Sequence, residues 1–224
     1  NLIIKMNLQH LENKHQIKFP EIFHQLNHSK MLSWGEFGAT WFTEVFPILQ
    51  KNPPFLLYAP DFVLINQERV SEEIEAFQDP DDFRQTNPKH QFIPFAATKA
   101  GDLYCFQMDE MVDGHIPITL VWHDMNYAEV LASNIQDFIF TFLLETLIES
   151  EEDSLIHQGN FSKNAELYLQ NHLEYLSPKQ QIIVKKRYLH TENGLLNDAE
   201  KENLRKEKDE LIHFKSKNFE YQLH

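Results

Sequence analysis

The sequence predicts an α+β fold: a mixed, largely antiparallel sheet packed by helices, with a helical C-terminal extension. Residues 92–123 alternate short apolar runs with polar turns, and these turns are too brief for the dozen or more residues of a parallel crossover. Residues 130–147 carry a broad apolar stripe at helical spacing, the pattern of a helix laid across a sheet. Beyond residue 154 the strand-like runs give way to charged, helix-forming sequence. The expected division is therefore a mixed domain over 1–154 and a helical extension over 155–224.

Residues 2–15 read as an amphipathic helix with Leu2, Met6 and Leu11 inward, and Pro20 opens a second, EIFHQLNHSKML, that buries Ile22, Phe23 and Leu26. SWGEFGATWFTEVFPIL is broken by Gly35, Gly38 and Pro47 and reads as partly helical packing material. FLLYAPDFVLIN offers two apolar runs, a strand or hairpin fragment, before a helix over 67–77 with Val70, Ile74 and Phe77 on one face. DPDDFRQTNPKHQ is a loop. Pro94 lacks a ladder N–H, so strand 92–95 lies at an edge or an irregular position. Gly101-Asp102 suits a tight turn into strand 103–108, and the polar DEMVDGH leads to the strand IPITLVWH.

From Tyr127 the pattern reads as helix, with Asn126 at or just before its start and Val130, Leu131, Ile135, Phe138, Ile139, Phe142, Leu143 and Leu147 on its apolar stripe. Three helices follow: SKNAELYLQNHLEYL, PKQQIIVKKRYLH from Pro178, and a charged final helix over residues 198–222 capped by Asn197 or Asp198. Leu167, Leu169, Leu173, Leu176, Ile182, Ile183, Tyr188 and Leu189 are the docking residues expected of the first two. These helices are also the expected site of any homo-oligomer.

The net charge of −14 is unevenly placed: residues 1–154 hold 24 acidic and 9 basic side chains, residues 155–224 hold 10 and 11. The first part should repel nucleic acid and steer a basic partner toward it, although the same acidity also serves solubility. No run approaches the roughly 18 apolar residues of a membrane span. The single cysteine, Cys105, rules out an intrachain disulfide and a four-thiolate metal site and suits a reducing compartment. The opening NLIIKMNLQHLENK lacks the apolar stretch and cleavage site of a leader, so the cytoplasm is the expected location.

Little in the chain reads as catalytic machinery. Trp122-His123-Asp124 is the most enzyme-like trio, because a histidine exchanges protons near neutrality and an aspartate can orient it; no nucleophile elbow accompanies it, and His123 reads as a strand-end hydrogen-bonding residue ahead of a catalytic one. His24 and His28 could share a helix face, yet without an acidic third ligand no metal or other cofactor is expected. Lys185-Lys186-Arg187-Tyr188 reads as a solvated helix face, with phosphate contact and base stacking as the alternative. Asp79, Asp81, Asp82, Asp109, Glu110 and Asp113 are candidate contacts for a basic protein, or simply solvated turn residues.

FIPFA, GDLYCFQMD, VWHD and LASNIQDFIFTFL, in this order and spacing across residues 92–144, resemble the SMI1/KNR4 family of the SUKH superfamily, with a looser likeness back through FPEIFHQL and FVLINQERVSEEIEAF. Pro94, Gly101, Asp102, Trp122, His123 and Asp124 fall on the matching pattern. The chain departs from it in Thr98-Lys99-Ala100, where a glycine-rich turn is common, and in lacking an Asn-Gly-Gly turn nearer the front. The resemblance implies a noncatalytic intracellular bacterial immunity protein whose partner is a cognate toxin, commonly a nuclease with a basic face. A regulatory or scaffold protein is the alternative.

Overall fold

Six strands form one open antiparallel sheet in the order of the chain: β1 (Val63–Leu64), β2 (Phe92–Ala97), β3 (Leu103–Gln107), β4 (Ile118–Val121), β5 (Ala128–Ala132) and β6 (Lys217–Phe219). The computed structural model describes residues 6–191, 193–212 and 216–223, and counts of elements refer to these. The α+β class and the antiparallel meander are those the sequence predicts. Pro94 pairs with Cys105 beside a register shift between Pro94 and Ala96, so the residue without an N–H stands at an irregularity in the ladder.

Both faces of the central strands are covered, and every residue of β2 and β3 is buried. Such strands lose the polar alternation of a half-solvated sheet. On one face Phe95 and Phe106 stand 4.8 Å apart between centroids and receive Phe23, while Tyr104 packs with Phe62 and Phe138. On the other, Phe92 receives Phe77 and Tyr221. Each fully buried phenylalanine contributes about 2–3 kcal/mol of hydrophobic stabilisation.

Contacts group the chain into two compact units. The first holds residues 5–29, 61–138 and 214–224; the second holds 1–4, 30–60 and 139–213. In the sheet-bearing unit, α1 (Leu8–His15) starts where the Asn7 side chain accepts from His10 N–H, later than residue 2; Leu2 lies outside the described residues. The next helix, α2 (Glu21–His28), buries Phe23 and Leu26 but leaves Ile22 half-buried, and it stops before Lys30, which has φ 59°. FLLYAPDFVLIN yields one strand only, because Leu56 and Asp61 adopt left-handed φ values of 51° and 46° that end the first run in turns.

A π-helical turn (Trp41–Val45) leads into α3 (Phe46–Leu49), and α4 (Gln67–Gln78) buries Val70, Ile74 and Phe77 as its spacing predicts. The helix expected from Tyr127 is corrected. Residues 128–132 form β5, with Ala128, Val130 and Ala132 buried in alternation, and α5 (Ile135–Ile148) follows with Asn134 Oδ1 accepting from Asp137 N–H. Asn126 caps no helix; its Oδ1 accepts from the N–H groups of Tyr221 and Gln222.

The second unit is helical. Asn160 caps α6 (Phe161–His172), and Ser177 with Gln180 forms a capping box for α7 (Pro178–His190), whose first residue is the predicted proline. Of the predicted docking residues Leu169, Leu176 and Tyr188 are buried, Leu167, Leu173 and Ile183 are half-buried, and Ile182 and Leu189 are exposed. His172, Tyr168, Tyr175 and Val184 take their place in the core. The last helix, α8 (Asp198–Ile212), is shorter than predicted: residues 217–219 form β6 instead. Leu204 is buried on α8, and ion pairs from Arg205 to Glu149 and from Lys208 to Glu145 supplement it.

Candidate functional site

Residues 98–102 make the hairpin turn between β2 and β3. Thr98 N–H donates to Asp102 O, and the Thr98 hydroxyl oxygen accepts from the N–H groups of both Gly101 and Asp102. This one side chain does the closing that a glycine-rich turn would otherwise leave to backbone alone. Gly101 has φ 110°, open to glycine and strained for any other residue, and a Cβ built there would lie 3.7 Å from Nδ1 of His123.

The turn holds Asp102 against the end of β4. One carboxylate oxygen of Asp102 accepts from His123 backbone N–H at 3.1 Å and from its Nδ1 at 2.8 Å; the Thr98 hydroxyl lies 3.3 Å from the other. A carboxylate only accepts, so Nδ1 is the donor, on a side chain that is 39 % exposed. Asp124 is exposed beside them, and one donor atom from each of Asp102, His123 and Asp124 lies within 4.8 Å of the others. Those three could hold a cation; the hydrogen bonds between Asp102 and His123 account for the placing of two of them. Trp122 turns its ring edge-on to Tyr127 at 5.3 Å, while its carbonyl accepts from the Tyr221 hydroxyl. Thus the structure gathers Gly101, Asp102, His123 and Asp124 at one end of the β3–β4 pair, with Pro94 further along β2.

The six candidate partner-contact acids separate into two kinds. Asp82 lies against Arg84, a buried guanidinium that also binds Glu73 at 2.8 Å and lies 4.4 Å from the centroid of the Phe77 ring. The Arg84 hydrogen bonds hold the Asp82 carboxyl below its ordinary pKa. Asp109 accepts from Gln91 N–H and pairs with His90. Both carboxylates serve the fold. Asp79 accepts from Asp81 N–H in an exposed turn, and Asp81, Glu110 and Asp113 are themselves exposed.

The remaining candidates resolve into local roles. His24 pairs with Glu12 and His28 is exposed on its own. Tyr188 is buried and donates to Leu143 O, so it presents no ring to a base. Cys105 is fully buried, and burial pushes its thiol pKa well up, the opposite of a reactive thiolate.

Sequence reasoning missed Thr98 and Arg84. Threonine three residues before a Gly-Asp turn, and Asp and Arg two residues apart in a loop, are the signals that could have found them.

A model of the SMI1 / KNR4 family (SUKH-1) matches residues 5–141, more than half of the chain. The chain belongs to the SMI1/KNR4 family. The match spans β1 to β5 and enters α5, so the Gly101-Asp102 turn and the Trp122-His123-Asp124 strand end lie within the family's region, while α6 to α8 and β6 lie beyond it. No curated protein and no solved structure matches the chain. Among the described residues of this SMI1/KNR4 protein no helix is long and apolar enough to cross a membrane.

Proposed function

We propose that this SMI1/KNR4 protein is a noncatalytic immunity protein of the bacterial cytoplasm that binds a cognate toxin and neutralises it. The match over residues 5–141 carries the reading, because resemblance to this family implies, for a bacterial member, chiefly an immunity role. The charge supports it independently. Residues 100–162 contain 12 acidic side chains and not one lysine or arginine; Glu145 and Glu149 pair with Lys208 and Arg205, and Asp102 and Asp109 with His123 and His90, which leaves the other acids of the stretch as negative charge for an approaching basic protein. A basic cleft such as that of a nuclease is the matching partner surface.

The reading predicts a toxin-like gene adjoining this one, and the test is co-expression with it, followed by purification and light scattering of the complex. Rescue of growth together with a stoichiometric complex is the expected result. Normal growth inhibition in the presence of the protein, with no complex, would refute the reading, and recovery of self-association alone would turn it toward a regulatory scaffold.

A further inference from the structure

Between residues 31 and 50 the structure displays aromatic surface where a monomer has no use for it. Trp41 is buried, and its indole N–H donates to Trp34 O; Trp34 is buried in turn and donates to Phe55 O. Phe37 stacks on Trp41 with centroids 4.8 Å apart and planes at 24°, and Phe42 meets the same indole edge-on at 5.0 Å. Yet Phe37 is 52 % and Phe42 63 % exposed. The π-helical turn at Trp41–Val45, closed by Phe46 N–H to Trp41 O, sets this arrangement, and such turns recur at functional sites. Two large rings thus stand outward in contact with an anchored indole.

The charges around the rings say what could cover them. Glu36 and Glu44 are exposed close to the rings in sequence, and residues 31–50 contain no lysine, arginine or histidine, the exposed Lys30 and Lys51 standing at the two ends of the segment. Nucleic acid could stack on the rings, but Glu36 and Glu44 beside them would repel its phosphates. An anionic bilayer would be repelled by the same glutamates. A second copy docked through this patch would set Glu36 and Glu44 against their own like charges. A protein with an apolar recess rimmed by lysine or arginine meets every requirement, and we infer that Phe37 and Phe42 are the apolar centre, and Glu36 and Glu44 the charged rim, of the surface that docks such a partner. The inference rests on the immunity reading and adds the place of contact.

Surface plasmon resonance, which reads both Kd and association rate, tests this with the purified protein and an inactivated form of the toxin expected to be encoded by an adjoining gene. F37A/F42A should raise the Kd at least about 30-fold, the loss of a single strong anchor, and E36K/E44K should slow association about tenfold at low salt. Thermal melting checks that each variant is folded; should the alanine pair melt early, E36K/E44K decides, since no ring contact is altered in it. Wild-type binding with both variants within threefold of it overturns the patch and leaves the immunity reading standing. Failure of the wild type to bind overturns both. A dimer in light scattering that F37A/F42A dissolves would show a second copy as the occupant and refute the inference.

Discussion

Acidification should weaken the helical unit through one side chain, His172. Its Nδ1 donates to Tyr168 O and its Nε2 accepts from Leu56 N–H, so both ring nitrogens are committed to the neutral form. The ring is fully buried against Phe55 and Tyr168. Burial lowers its pKa from 6.5 to about 4. A proton on Nε2 would turn the Leu56 N–H from partner to repelled neighbour. Between these two pKa values the unfolded chain binds the proton and the folded chain does not. His172 therefore stabilises fully above pH 6.5 and loses its contribution as pH falls through 6.5 toward 4. The whole shift corresponds to about 3 kcal/mol, of which about 2 kcal/mol is lost between pH 7 and pH 4.5.

Urea unfolding followed by tryptophan fluorescence at both pH values, for wild type and H172Q, isolates this contribution. Glutamine can still accept from Leu56 N–H but takes up no proton. His15 and His157, lowered mainly by burial, and the carboxyls of Glu75 and Asp82, lowered by Lys14 and Arg84, titrate in both proteins and cancel in the comparison. H172Q should be the less stable at pH 7, and the gap should close by about 2 kcal/mol at pH 4.5. Parallel loss of stability in the two proteins would refute the assignment.

D82K should cost about 2–3 kcal/mol in urea unfolding, because it removes one of the two carboxylates on buried Arg84, whereas D81K at an exposed position should stay within about 0.5 kcal/mol; equal effects would contradict the division of the acids. G101A should cost about 1–3 kcal/mol and shift the NMR signals of the His123 ring, since φ 110° is strained for alanine and the new methyl faces that ring; an unshifted ring would show that the turn does not position it.

The meander was legible because its turns are short and chemically marked. Gly101-Asp102 announced the β2–β3 turn, Pro94 announced an irregularity, and α4 and α7 began or packed where capping residues and 3.6-residue spacing placed them. β5 was misread for a physical reason. Val130, Leu131 and Ile135 fit a helical stripe as well as Val130 and Ala132 fit an alternation, and only pairing with β4 and β6 favours the extended form. β6 carries no periodic signal in three residues, and its place depends on Tyr221 being buried and on the two N–H groups held by Asn126.

The sequence by itself determined the α+β class, the family and the acidic balance, because these rest on order, spacing and charge that no folding step alters. Tertiary structure decided which of the six acids are tied to the fold and which stand exposed. Asp82 and Asp81 are indistinguishable as neighbours in a loop until Glu73 of α4 and Asp82 close on the same guanidinium, and the aromatic run at 34–46 reads as core until the anchoring of Trp34 and Trp41 leaves Phe37 and Phe42 outside. A side chain's exposure depends on what the rest of the chain brings against it, and that information is nonlocal.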